Sequence, residues 1–263
     1  TEQHLTAGEK SAAMTLRGHM QESAGNDYQG LSIDGISITV YATQDTVEND
    51  SFNNQYDANA TSADELKAAL KNGGDINISK NIYTDNTDSI DARMIISKPT
   101  TLNLDKKIIS PDNMGNNQTN FTALIVSADT TINASDEGGI DTGTNGGYGI
   151  NVKNGAKLTI NGGYYYGGGT AVQVQSGTAI INGGTFACEP YSNPTYGYNF
   201  LMNCIDSAYK DGTAKIIIKG GTFINFNPAD CKAEGAGTNF VAEGYKVVSE
   251  AHGSDTWYKV VKE

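Results

Sequence analysis

The chain has 263 residues and a formal net charge of −12, with 30 Asp and Glu against 18 Lys and Arg. That balance excludes a nucleic-acid partner, which needs clustered cations to neutralise phosphate, and leaves solubility as the plain role of the acid excess. Hydrophobic residues reach only 38% while Gly numbers 31 and Tyr 14, a composition of short strands and tight turns, not of helices.

Residues 1–57 read as strands. Leu31, Ile33, Ile36, Ile38 and Val40 form a largely alternating apolar series, broken at the hairpin dipeptide Asp34-Gly35. A few strands cannot bury a core of their own, so this segment is expected to need further strands or a partner. Residues 58–75 differ. Ser62-Ala63-Asp64-Glu65 has the form of a capping box, Leu66, Ala69 and Leu70 share one helical face, and Gly73-Gly74 stops the helix. One short amphipathic helix over Ser62–Asn72 is predicted, suited to cover the open end of a strand stack.

From residue 76 to 263 short strands recur between Asn, Gly, Asp and Thr. Asn161-Gly162-Gly163-Tyr164-Tyr165 returns as Asn182-Gly183-Gly184-Thr185-Phe186, and again as Lys219-Gly220-Gly221-Thr222-Phe223. A period of about 20 residues predicts one solenoid coil per repeat, with Val and Ile inward and Gly in the turns. The longer second interval predicts an insertion near 189–209. Repetition of Asn before the Gly pair predicts a ladder of stacked side-chain amides. NFVAEGYKVV and DTWYKVV, around a polar turn, predict a terminal strand pair over Tyr245–Val261 that closes the stack, with Trp257 as a cap residue.

Two resemblances bear on this reading. Leu16–Asp57, through HMQESAGNDYQ, Ala42-Thr43-Gln44 and DSFNNQYD, resembles the C-terminal part of the TasA/camelysin family of secreted Firmicutes proteins. That resemblance implies a jelly-roll-like β-sandwich, here partial, and assembly into extracellular matrix filaments by strand complementation. Camelysin-like members are also called metallopeptidases, but His4, His19 and His252 form no HExxH pair, so no metal site is expected. GTAIINGGTF and AKIIIKGGTFINFNP are similar to pectin-lyase-like right-handed parallel β-helix proteins of Firmicutes. The expected fold class is therefore all-β: a right-handed parallel β-helix over 76–263 with an N-terminal capping helix, preceded by the sandwich segment 1–57.

Chemistry is sparse. A glycosidase needs two carboxylates flanking one bond, one of them protonated. Asp206 and Asp211 flank the insertion, and Asp136, Glu137 and Asp141 cluster, but neither group repeats the paired-Asp, His and Arg-x-Lys pattern of polygalacturonase-like sites. The only arginines, Arg17 and Arg93, lie outside the repeat-bearing coils, which removes the base of a pectate-lyase-type site. Asp85, Asp88 and Asp91 read as a solvated turn, not a calcium loop, and the Asn-x-Ser/Thr sequons follow from composition. Cys188, Cys204 and Cys231 are odd in number and irregular in spacing, so neither a disulfide framework nor a metal pair is expected. No catalytic residue and no cofactor is expected.

Tyrosines are the best functional class. Tyr164, Tyr165 and Tyr166 precede a Gly triplet, and Tyr191, Tyr196 and Tyr198 sit in the insertion, where amphipathic rings can contact glycans or protein. No apolar run reaches the ~20 residues of a membrane-crossing helix, so no membrane span is expected. Thr1 in place of Met leads to the expectation of a targeting segment upstream. The whole reads as a non-catalytic structural or adhesive protein of the bacterial cell surface or extracellular matrix. It is expected to self-associate with neighbouring subunits and to meet a glycan or host-surface ligand. A carbohydrate-active β-helix enzyme and a glycan-binding surface module stay open as alternatives.

Overall fold

A computed structural model describes residues 58–84, 94–110, 122–143, 147–189 and 199–263. The chain divides into two units, 1–54 and 55–263. The sandwich expected over 1–57, the Asp85, Asp88 and Asp91 cluster, and Tyr191, Tyr196 and Tyr198 all lie outside the described residues.

The described residues are mostly β, and most of their strands pair in parallel. Strand β1 (Ala58–Asn59) leads to helix α1 (Ala63–Asn72). The Ser62 hydroxyl accepts from the Glu65 amide at 3.3 Å, as a capping residue should. The Glu65 carboxylate reaches one residue beyond the cap, accepting from the Thr61 amide and hydroxyl at 2.7 Å each. Leu66, Ala69 and Leu70 are buried, and Gly73 ends the helix at φ 74°, where a Cβ would be strained. The apolar face of α1 joins the same buried core as the first strands of the stack.

The strands then follow a repeating itinerary through three parallel ladders. One ladder aligns β1 and β2 (Gly74–Ile78) with β5 (Thr100–Leu104), β8 (Thr130–Ala134), the first half of β11 (Ala156–Gly167), the first half of β13 (Gly177–Cys188) and β15 (Ala214–Ile218). A second aligns β3 (Ile82–Tyr83), β6 (Lys107–Ile109), β9 (Gly139–Asp141), the second halves of β11 and β13, and β16 (Gly221–Ile224). A third aligns β4 (Met94–Ile96), β7 (Thr122–Val126), β10 (Tyr148–Val152), β12 (Thr170–Val174) and β14 (Met202–Cys204). Each repeat visits the third ladder, then the first, then the second.

Register fixes the core. In the first ladder Ile76, Leu102, Ile132, Ile160, Ile181 and Ile218 stand above one another, each fully buried. In the second the inward column is Ile82, Ile108, Ile140, Tyr165, Phe186 and Phe223, so its filling changes from aliphatic to aromatic midway. The rings of Tyr165 and Phe186 stack at 5.0 Å, and those of Phe186 and Phe223 at 5.2 Å. Strands β7 and β12 are buried along their whole length, which explains the unbroken apolar character of TALIV and TAV.

At the bend between the first two ladders an amide ladder runs on the outside. Asn103 donates to Asn77, Asn133 to Asn103, Asn161 to Asn133 and Asn182 to Asn161, at 2.8 to 3.0 Å. The ladder expected from Asn161 and Asn182 therefore extends to three asparagines that no Gly pair follows. The segment expected as an insertion contributes β14 to the third ladder and helix α2 (Asp206–Lys210), so part of it belongs to the repeat. The terminal hairpin, β17 (Tyr245–His252) and β18 (Asp255–Lys262), joins β16 through antiparallel pairing of β18. It extends the second ladder only. The interior end of the stack is occupied by Phe226, Cys231 and Phe240, all buried, in the segment before that hairpin.

Candidate functional site: the outer face of the second ladder

Alternation along a strand sends every second residue outward. Around the inward column of rings, Tyr164 and Tyr166, Thr185 and Ala187, and Thr222 and Ile224 therefore face outside. Tyr165 does not: it is fully buried, and its hydroxyl donates to the Gly162 carbonyl at 2.9 Å. Burial pushes its phenol well above the usual range. Of the tyrosine triplet, the outward pair alone has a ring face to offer a ligand.

A groove of about 580 Å³ opens on this face. Tyr164 stands at one side and Trp257 of β18 at the other, with Thr185, Thr222 and Lys259 between them. The register Tyr164 to Thr185 to Thr222 to Lys259 crosses three strand spacings, about 14 Å. The floor includes Gly162, Gly163, Gly183, Gly184 and Gly221. Gly163 has φ 93° with the Ala134 methyl 2.5 Å from the place of a Cβ, so glycine is required by both backbone and neighbour.

Two lysines on the face are paired with carboxylates, and Asp136 adds a further carboxylate to the groove's lining. Lys107 Nζ lies 4.5 Å from the Tyr164 ring centroid and 3.7 Å from Asp141, a cation over an aromatic face. Lys259 holds Glu250 at 3.1 Å, and the hydrogen bond from Lys259 keeps the Glu250 carboxyl below its usual range. The ring of His252 stacks on Trp257 at 4.0 Å, fixing the indole. Burial raises the Tyr166 phenol to about 12, with Glu189 adding to the effect, and raises the Cys188 thiol to about 12. Both stay protonated at neutral pH.

Of the carboxylates considered for catalysis, Asp136 lines the groove, while Asp211, Glu137 and Asp141 are held by neighbours. Asp211 accepts from the Thr213 amide at 3.0 Å and hydroxyl at 2.6 Å, which lowers its pKa. Glu137 pairs with Lys106, and Asp141 accepts from the Gly143 amide at 3.0 Å. Among the described residues no group of three or more His, Cys, Asp or Glu is placed to hold a metal ion, and no helix is long and apolar enough to cross a membrane.

A second cluster lies inside the C-terminal end. Glu234 accepts from the Cys204 amide at 2.6 Å and from the Cys231 thiol at 2.7 Å. Burial raises the Glu234 carboxyl, and it raises the Cys204 thiol to about 12 and the Cys231 thiol further. Thiols held neutral by burial are poor nucleophiles. The cluster closes the polar groups of a buried loop.

No family model, curated protein or solved structure matches the chain. The groove itself offers two aromatic platforms, two threonine hydroxyls, Lys259 and the Asp136 carboxylate on a floor rich in glycine.

Proposed function

We propose that this protein is a non-catalytic adhesive component of the bacterial cell surface or extracellular matrix, built on a right-handed parallel β-helix and binding a glycan on its outer face. The observation that carries the reading is the groove between Tyr164 and Trp257. Sugar rings present apolar C–H faces to aromatic platforms and hydroxyls to side chains such as Thr185 and Thr222. The pairing of Lys107 and Lys259 with carboxylates, the Asp136 carboxylate in the groove and the net charge of −12 favour a neutral glycan over a polyanionic one. The likeness of Leu16–Asp57 to secreted Firmicutes proteins supports an exported setting, and stacked coils suit the display of such a face at a surface.

The test is a glycan array followed by titration calorimetry of hits. Trp257→Ala and Tyr164→Ala are each expected to weaken binding about tenfold or more, consistent with aromatic anchors dominating an interface. Silence across neutral glycans, or binding indifferent to both substitutions, overturns the reading. Release of reducing or unsaturated products from a bound glycan would make the protein an enzyme instead.

A further inference from the structure

Strand β17 is the outermost strand of the second ladder. It pairs with β18 on one side, and among the described residues no strand pairs with the other. Which of its backbone groups point to that open side follows from the hydrogen bonds of the hairpin. Glu263 donates to the Gly244 carbonyl at 3.0 Å, and the Thr256 carbonyl faces away from β17 to accept from Asn225 at 2.8 Å. Alternation along an antiparallel pair then turns the backbone of Lys246, Val248, Glu250 and His252 toward β18, and that of Val247, Ser249 and Ala251 toward the open edge.

We infer that this edge pairs with β17 of a second copy of the chain, antiparallel and about a two-fold axis at Val248. Only this register places Lys246 of each copy opposite Glu250 of the other, and it lets Val247 and Ser249 exchange backbone hydrogen bonds across the axis. Val248 then meets its own symmetry mate. Edge strands are usually protected by charge against pairing with arbitrary partners. Here the charges are four residues apart and opposite in sign, so they repel a misregistered strand and complement their own copy. Lys246 has no ionic partner among the described residues of its own chain, and Val248 is 42% exposed in the middle of the strand.

Because residues of equal parity meet, both copies present the same face to the same side. The outer faces of two second ladders become one sheet surface carrying two grooves.

The experiment uses the full chain in sedimentation velocity and in oxidative cross-linking. Val248→Cys is expected to form a disulfide-linked dimer, since non-hydrogen-bonded antiparallel pairs bring like positions within disulfide reach. Val261→Cys, one strand back from the edge, is expected to form none. Lys246→Glu and Glu250→Lys are each expected to raise the dimer dissociation constant about tenfold. An equimolar mixture of the two variants is expected to dimerise again, because in the mixed dimer both positions 246 of one copy and 250 of the other carry opposite charges. A chain that stays monomeric over the concentration series, equal cross-linking at 248 and 261, or a mixture no tighter than either variant alone overturns the inference. These readouts involve no glycan, so they stand or fall apart from the groove's ligand.

Discussion

Replacing Phe186 by Ala tests whether the aromatic column organises the later coils. The ring is fully buried and lies between two others, 5.0 Å from Tyr165 and 5.2 Å from Phe223. Removing a buried phenyl ring costs about 3–5 kcal/mol through lost transfer energy and the cavity left behind. Two stacked contacts, each of about 0.5–1.5 kcal/mol beyond area burial, put this site at the upper end of that range. A domain's whole stability is about 5–15 kcal/mol, so the loss is a large share of it. The assay is guanidinium unfolding followed by far-UV circular dichroism, with Phe186→Leu as the control expected to cost about 1–2 kcal/mol. A stack of repeats can lose coils separately, and a second transition in the variant would locate the damage in the later ones. A loss under about 1 kcal/mol for Phe186→Ala, with an unchanged denaturant slope, would refute a packed ring column.

Further outcomes can be read by the same unfolding measurements. Asn161→Ala breaks the amide ladder by removing the donor to Asn133 and the acceptor for Asn182. At an exposed position this is expected to cost about 1 kcal/mol, and a cost matching Phe186→Ala would contradict it. Gly139→Ala would set a Cβ 1.8 Å from the Tyr164 carbonyl oxygen at φ 140°, an overpacking expected to cost about 3 kcal/mol. Gly183→Ala meets nothing nearer than 3.8 Å and is expected to be neutral or slightly stabilising. Thermal melts should separate the two glycines clearly. Burial holds the Glu234 carboxyl above its ordinary range, so the folded chain binds its proton more tightly than the unfolded one. Its contribution to stability is complete below the ordinary carboxyl pKa and falls as pH rises through the folded pKa. Glu234→Gln should flatten that decline in a denaturation series from acid to neutral pH; an unchanged slope would count against it.

Parts of this architecture were open to reading and parts were not, for physical reasons. Helix α1 was legible because Ser62, Glu65, Leu66, Ala69, Leu70 and Gly73 signal locally, within reach of one another along the chain. The amide ladder was half legible: Asn161 and Asn182 stand out beside Gly pairs, whereas Asn77, Asn103 and Asn133 sit inside apolar strands and become neighbours only through register. The inward turn of Tyr165 could have been deduced by aligning Tyr164-Tyr165-Tyr166 with Thr185-Phe186-Ala187 and Thr222-Phe223-Ile224, since period-two alternation gives all three middle residues one direction. The groove could not. Tyr164 and Trp257 are far apart in sequence, and their approach depends on β18 pairing antiparallel with β16. The Glu234, Cys231 and Cys204 cluster was equally hidden, since it is gathered by a loop with no periodicity.

The connections leading from the second ladder to the third differ greatly in length. Gly168-Gly169 suffices between β11 and β12, whereas residues 189–201 lie between β13 and β14. Hydrogen bonds in the ladders run from coil to coil, across the chain direction, so each strand takes its alignment from the coils above and below it. A connection at that corner can lengthen without disturbing the pairing of the strands it joins. Sequence drift is thereby given a place to accumulate at one edge of the stack, while the columns of Ile76 and Ile82 remain bound to their neighbours.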